Sequence, residues 1–211
     1  MQDRSQASLE RMVQAALTLM MERASEDFTL LEVSQLGKVS IGSIYHRFRS
    51  KDDLVRAVIA RGLADIGAIE QLRLGEVLEK SRTVDEFIPR FVDLFARTLR
   101  EHAPMLRLAM RRAAIDVEVS EAGDSRERNA AEALAQALLS YDDEIAGDAV
   151  VKGRLTLQVI FAALARYLSL NTTQPKLDPQ DWDSLIRELS IMALAYLKSG
   201  ATNAHGKGAA L

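Results

Sequence analysis

The chain of 211 residues has no cysteine, four prolines and only 5% aromatic residues. The lack of cysteine excludes a disulfide framework and a thiolate metal site. The longest apolar runs, 159–165 and 191–197, have seven residues each, far short of the roughly 20 that a membrane-spanning helix needs. The first residues do not form the apolar segment of a signal peptide. We therefore expect a cytoplasmic protein.

Motifs of the common enzyme classes are also missing. The sequence has no Gly-x-Ser-x-Gly elbow, no phosphate loop ending in Gly-Lys-Ser/Thr, no His-Glu-x-x-His pair and no glycine fingerprint after a strand. His102 and His205 have no partners spaced as metal ligands. We predict a protein that is not an enzyme and needs neither a cofactor nor a metal.

The charge is unevenly distributed along the chain. The net charge is −3, yet residues 38–61 contain six basic residues and only two acidic ones. This segment could face the phosphates of a nucleic acid while the rest keeps the protein soluble. A solvated protein face is the alternative, because charge clusters are usually of that kind.

The apolar residues recur at helical spacing, and no segment favours a strand, so we predict an all-α fold. The first helix is capped by Ser5 or Ser8 and ends near Ala24. Thr29 and Glu32 form a capping box that starts the second helix, which ends near Gly37. The third helix starts at residue 40, and Ser50 with Asp53 starts the fourth.

The second and third helices, joined by a turn of about three residues, have the dimensions of a helix-turn-helix. The third helix begins with Ser40, Ile41, Gly42 and Ser43, and the small side chains in this first turn let the backbone approach base edges. Residues 45 and 46, tyrosine and histidine, can donate hydrogen bonds to phosphates, as can lysine 51 at the start of the fourth helix. Alternatively, the tyrosine could pack beneath the third helix.

The run Val-Ser-Ile-Gly-Ser-Ile-Tyr-His-Arg-Phe at 39–48, followed by Ser-Lys-Asp-Asp-Leu at 50–54, resembles the TetR family of bacterial transcriptional regulators. The resemblance covers roughly residues 9–60. It implies a homodimer that binds a palindromic double-stranded DNA operator and usually represses until a small molecule binds, although activation stays open. The predicted DNA contacts are Thr29, Lys38, Ser40, Ile41, Gly42, Ser43, Tyr45, His46 and Lys51.

Two positions depart from the family pattern. The family usually has Ala then Gly before the recognition helix, whereas this chain has Gly37 and Lys38. A left-handed conformation at Lys38 would cost on the order of 1 kcal/mol, unless Gly37 takes it and the turn shifts by one residue. Ser34 replaces a usual Ala, and its hydroxyl can bond a carbonyl one turn earlier.

The later part of the chain is predicted to be helical and regulatory. A capping box at Thr83 and Glu86 starts a helix that Pro89 should kink or delay. Pro104 suits the first turn of a helix over 105–119. Residues 123–125 read as a loop, 126–140 as a helix, and 142–147 as a further break.

Two late helices, about 148–170 and 181–198, carry the seven-residue apolar runs and are apolar on all sides. Paired across a twofold axis they would form a four-helix bundle in a homodimer, and burial in a single-chain core is the alternative. The side chains that could line an effector cavity are aromatic, Met and Leu residues: Phe91, Phe95, Met105, Leu108, Phe161 and Tyr167.

The predicted organisation has three parts. Residues 1–50 form an N-terminal three-helix helix-turn-helix DNA-binding domain, and residues 51–198 form a C-terminal helical bundle for ligand binding and dimerisation. Residues 199–211 form a flexible tail rich in glycine and small residues. The competing hypothesis is a helical ligand-binding or protein-interaction module that has lost DNA binding, and Lys38 is the residue that favours it.

Overall fold

A computed structural model describes residues 2–170 and 181–200, with side chains from residue 5 onward. This part of the chain contains no β-strand, which confirms the all-α prediction. A 3-10 helix spans Leu139–Glu144. The α-helices are α1 Gln2–Arg23, α2 Leu30–Gly37, α3 Ile41–Arg47, α4 Lys51–Glu79, α5 Val84–Glu101, α6 Ala103–Ala113, α7 Val117–Leu138, α8 Ala149–Tyr167 and α9 Trp182–Lys198.

The predicted capping box fixes the start of α2. The Thr29 hydroxyl accepts a hydrogen bond from the Glu32 amide at 3.2 Å, and the Glu32 carboxylate accepts one from the Thr29 amide at 2.7 Å. Arg23, at the end of α1, donates to the same carboxylate at 2.6 Å. This hydrogen bond from Arg23, together with those from Thr29, lowers the pKa of Glu32 to about 2. The ionised Glu32 therefore connects the start of α2 to the end of α1 through its salt bridge with Arg23.

The turn after α2 takes its left-handed residue at Lys38, with φ 50° and ψ 47°. Gly37 is helical and buried against α1, where a β-carbon would lie 3.0 Å from the carbonyl oxygen of Arg11 and 3.3 Å from Cβ of Ala15. The glycine therefore permits close helix packing, while Lys38 takes the strained conformation. The turn is not shifted by one residue.

Ser34 stabilises this turn in a way that the sequence did not predict. Its hydroxyl donates to the carbonyl oxygen of Val39 at 2.6 Å rather than to a carbonyl one turn earlier. The Val39 amide in turn donates to the Ser34 carbonyl oxygen at 3.1 Å. These two bonds close the turn from both sides, so the connection between α2 and α3 keeps a defined geometry.

The starts of α3 and α4 agree with prediction. The Ser40 hydroxyl accepts from the Ser43 amide, and the Ser50 hydroxyl accepts from the Asp53 amide, both at 3.1 Å. The start of α1 differs, because the helix already begins at Gln2 and neither predicted serine caps it. Its end agrees: α1 stops at Arg23, and the next residue has a φ of 48°.

The middle of the chain differs from prediction. The segment 123–125 is not a loop, because α7 runs unbroken through Gly123, and the break lies instead between the end of α6 at Ala113 and Val117. One glycine costs a helix about 1 kcal/mol, and the burial of Val119 and Leu134 on the same helix outweighs that cost. Pro89 does not delay α5, which starts after Thr83 as the capping residues predict.

The chain divides into two compact units over its described residues. Among the described residues, the first comprises 2–69, 98–127 and 165–170, and the second comprises 70–97, 128–164 and 181–200. Helix α6 and the first half of α7 therefore belong to the same unit as the helix-turn-helix. The domain limits at residues 50 and 198 stay a prediction, and residues 201–211 of the predicted tail lie outside the described part.

The second unit has an aromatic core. The rings of Phe87 and Phe91 stack with centroids 5.9 Å apart, and that of Tyr141 lies 5.3 Å from Phe87. Helix α8 packs closely on α7 at Gly153, where a β-carbon would lie 2.8 Å from Cα of Ala135. The predicted late helices are confirmed as α8 and α9, and the predicted break before them holds the 3-10 helix and a glycine with φ 88°.

Candidate nucleic-acid interface

Helix α3 exposes nearly all of its side chains. Ile44 is fully buried and anchors the helix, whereas Tyr45 is 59% exposed and Ile41 is 39% exposed. His46 and Arg47 are exposed as well. A helix of seven residues with a single buried position presents the rest of its surface to a partner. The outward direction of Tyr45 contradicts the alternative in which it packs beneath the helix.

The first turn of α3 combines small polar groups with open space. The hydroxyl oxygens of Ser40 and Ser43 lie 2.7 Å apart and hydrogen-bond each other. A β-carbon on Gly42 would meet no atom within 4 Å. A DNA base edge could therefore approach the backbone here, and the serine pair can both donate and accept hydrogen bonds.

Four cations lie at the end of this helix or beside it: Lys38, Arg47, Arg49 and Lys51. Within the described part of the chain, no acidic side chain lies within salt-bridge distance of any of them. The ammonium nitrogen of Lys51 lies 4.7 Å from the ring centroid of Phe28. That ring contact orients the lysine without neutralising its charge, so all four cations can meet phosphate.

The sequence count of six cations in residues 38–61 overstates the charge available to a partner. Arg56 binds Asp116 at 2.9 Å and Asp53 at 3.0 Å, and Arg61 binds Glu10 and Asp65, both at 3.1 Å. The charges of these two arginines are therefore paired with carboxylates of the chain itself. Asp116 and Glu10 lie 60 and 51 residues from their arginines in the sequence, so a count over a short window misses these two partners.

Sequence reasoning also missed the ion pairs of Arg112 and Asp116. Arg112 donates hydrogen bonds to Asp116, Glu26 and Asp52, each at 2.9 Å. Burial opposes ionisation of Asp116, but the hydrogen bonds from Arg112 and Arg56 outweigh it and hold the pKa of this carboxyl below its ordinary value. The separation of four residues in the sequence signals the Arg112–Asp116 pair, although Asp116 lies beyond the end of α6. No short-range spacing indicates the other partners of Arg112, which are Glu26 and Asp52.

All nine predicted DNA contacts lie in this part of the first unit. Eight are exposed and Lys51 is half-buried. The Thr29 hydroxyl is already engaged in the capping box, so its remaining capacity for an outside partner is smaller than that of the Ser40–Ser43 pair. The structure thus brings the predicted residues together on α3 and on the residues that flank α2 and α3.

The predicted effector residues do not share one compact unit. Phe91, Phe95 and Phe161 belong to the second unit, where the first two rings stack at 5.7 Å. Met105, Leu108 and Tyr167 belong to the first unit. Met105 fills the notch above Gly62 of α4, because a β-carbon there would lie 2.2 Å from its terminal methyl. Their role in ligand binding stays a prediction.

Helices α8 and α9 present an exposed apolar groove of about 230 Å³. Several large apolar side chains at or beside this groove are more than one-third exposed, and Ile191 and Met192 exceed one-half. The apolar residues that line the groove include Leu155, Val159, Ile160, Leu189, Met192 and Tyr196. Exposed apolar area of this kind marks a surface that another molecule covers.

The described residues contain no group of three or more His, Asp or Glu side chains placed to hold a metal ion. None of their helices combines the length and apolar character that crossing a membrane requires.

The comparisons with known proteins agree with this geometry. Residues 12–58 match the family model described as bacterial regulatory proteins, tetR family. A comparison with proteins of curated function found no significant match.

Solved structures share the fold over most of the chain. A putative TetR-family transcriptional regulator from Mesorhizobium loti has 14% identity and a TM-score of 0.75, covering 92% of this chain and 96% of its own. A putative transcriptional regulator from Streptomyces coelicolor has 19% identity and a TM-score of 0.65, with coverages of 91% and 98%. Reduced NemR from Escherichia coli has 17% identity and a TM-score of 0.61, with coverages of 92% and 100%. Residues 12–58 therefore match the helix-turn-helix part of the tetR family of bacterial regulatory proteins, and the solved structures share the all-α fold over most of the chain.

Proposed function

We propose that the protein is a dimeric repressor of transcription that inserts α3 into the major groove of a palindromic operator and leaves it when a small molecule binds. The observation that carries the proposal is the exposed α3, with four cations at its end or beside it that have no acidic partners in the described residues. Such cations neutralise phosphates and supply affinity, while a groove-facing helix supplies sequence selectivity.

The residues divide into two roles. Ser40, Ile41, Gly42 and Ser43 face base edges, where hydroxyls exchange hydrogen bonds with bases and Ile41 contacts a thymine methyl. The residues that contact phosphate and fix the register on the duplex are Thr29, Lys38, Tyr45, His46 and Lys51.

Dimerisation is supported by the groove of α8 and α9. The same groove on a second copy would cover these apolar side chains across a twofold axis and complete a four-helix bundle. Two copies of α3 would then lie about 34 Å apart, one turn of DNA, to read the two halves of a palindrome.

Effector release follows if a ligand in the helical bundle favours a different spacing of the two α3 helices. A ligand shifts such an equilibrium only by its difference in affinity for the two states. Within the second unit, the residues proposed to contact it are Phe91, Phe95 and Phe161. Aromatic and apolar side chains of this kind suit an apolar ligand.

Lys38 no longer favours the competing hypothesis of a module without DNA binding. Its left-handed conformation closes the turn, and α3 still begins at Ile41 with Ser40 as its cap. The departure from the family pattern therefore leaves the local geometry of the helix-turn-helix intact.

The test is a titration with the DNA upstream of its own gene and with random DNA of equal length, at several salt concentrations. Lys51→Ala is expected to weaken binding to both DNAs alike and to reduce the salt slope by about 1. Ser43→Ala is expected to change the preference between them. Lys80→Ala, an exposed lysine of the second unit, is the matched control. Equal binding of the wild type to both DNAs would contradict the proposal.

A further inference from the structure

A cluster of ion pairs joins the end of α6 to the helix-turn-helix. The Arg112 guanidinium, only 11% exposed, contacts Glu26 in the connection between α1 and α2 and Asp52 in the first turn of α4. It also contacts Asp116, just before α7. We call Arg112, Asp116, Glu26, Asp52 and Arg56 the Arg112 cluster. All five residues belong to the first compact unit.

Asp116 is the buried centre of this cluster. Its side chain is 4% exposed, and one oxygen accepts hydrogen bonds from both Arg112 and Arg56 at 2.9 Å. Arg56 also reaches Asp53 at 3.0 Å, so a second residue in the first turn of α4 is connected to Asp116. A single carboxylate thus holds two guanidinium groups that bind the start of α4.

A neighbouring contact reinforces this arrangement. Arg111 donates a hydrogen bond to the carbonyl oxygen of Ala24, at the end of α1, at 2.7 Å. Two consecutive arginines of α6 therefore bind the connection that precedes α2. Buried ion pairs are weak evidence of stabilisation, because desolvation offsets their attraction. Their geometric demands are stricter than those of apolar contacts, which suits a role in setting orientation.

We propose that Arg112 and Asp116 are positioning residues for operator binding, which hold α2, α3 and the start of α4 in the orientation that lets α3 and Lys51 engage DNA together. The inference rests on the proposed function. Neither residue needs to touch DNA, because Arg112 acts through Glu26 and Asp52, and Asp52 is the chain neighbour of Lys51.

Positioning and simple electrostatics predict opposite effects for one substitution. Asp116→Asn removes a negative charge from the unit that binds DNA, so electrostatics alone predicts equal or tighter binding. Positioning predicts weaker binding, because Arg112 and Arg56 lose the carboxylate that holds them. Weaker DNA binding by Asp116→Asn therefore cannot result from the loss of the negative charge.

The experiment compares the operator affinity and the salt slope of the wild type with those of three variants. Asp116→Asn and Arg112→Lys disturb the cluster, and Arg112→Lys keeps the charge while losing the planar fork that spans several carboxylates. Asp93→Asn is the matched control, because it makes the same chemical change in the exposed Arg97–Asp93 pair of α5. Thermal unfolding of each variant checks that it is folded.

We expect Asp116→Asn and Arg112→Lys to weaken operator binding at least about fivefold, the low end of measured coupling between sites. The salt slope should not change, because no phosphate contact is lost, and Asp93→Asn should bind like the wild type. If Asp116→Asn fails to fold, Arg112→Lys decides. Wild-type affinity in the folded cluster variants, or a salt slope reduced by about 1, would overturn the inference.

A second measurement keeps this inference separate from the proposed function. In the free protein, backbone amides of residues 30–47 should exchange with solvent faster in Arg112→Lys than in Asp93→Asn, because α2 and α3 lose their support. If the wild type does not prefer its upstream DNA, the proposed function fails and the exchange rates alone decide whether the cluster orders the helix-turn-helix. Unchanged exchange would overturn the positioning role.

Discussion

Replacing Lys38 by glycine should stabilise the protein. Lys38 has a φ of 50°, and the left-handed conformation costs a residue with a β-carbon roughly 1–2 kcal/mol. Glycine avoids that cost but loses about 0.5–1 kcal/mol through the greater freedom of the unfolded chain. The net gain is about 0.5–1 kcal/mol, which should raise the Tm of a domain of this size by roughly 1–4 °C.

Thermal unfolding followed by circular dichroism at 222 nm measures this effect. Lys38→Ala is the control, because it removes the same charged side chain and keeps the β-carbon. It should unfold within about 0.5 kcal/mol of the wild type, as exposed substitutions usually do. A Lys38→Gly variant that unfolds at the same temperature as Lys38→Ala, or below it, would show that the backbone of Lys38 is not strained.

Two further predictions concern packing and assembly. Gly153→Ala should destabilise the protein by about 1–3 kcal/mol in urea unfolding, because the added methyl meets the backbone of Ala135 at 2.8 Å. Gly123→Ala, where the methyl meets nothing within 4 Å, should instead stabilise it by about 0.5–1 kcal/mol; the same sign for both variants would argue against the packing. Val159→Arg should give monomers in sedimentation velocity, because it places a charge in the apolar groove of α8 and α9. Gln158→Arg, an equal charge at the adjacent exposed position, should remain dimeric, and a Val159→Arg dimer would contradict the proposed interface.

The elements that the sequence predicted well depend on local chemistry. The capping residues Thr29, Ser40 and Ser50 each form their hydrogen bond with an amide three residues later, so four consecutive residues contain the whole signal. The apolar runs of α8 and α9 likewise identify those helices without reference to any partner.

The elements that it predicted poorly depend on contacts distant in the chain. Gly123 carries a local signal for a loop, yet burial elsewhere on α7 keeps the helix intact. Arg56 is counted as a cation available to DNA until its pairing with Asp116, 60 residues later, is known. The partners of Arg112 could not be predicted from the sequence for the same reason, because Glu26 and Asp52 lie 86 and 60 residues away from it.

The order of Gly37 and Lys38 links stability to DNA binding. Glycine at residue 37 permits the close approach of α2 to α1, while the left-handed position next to it is occupied by a residue with a β-carbon. Backbone strain of this kind is often kept where the side chain has a function. If Lys38 contacts phosphate, Lys38→Gly should gain stability and lose affinity, whereas Lys38→Ala should lose affinity alone. Wild-type operator affinity in both variants would show that the strain serves no DNA contact at this residue.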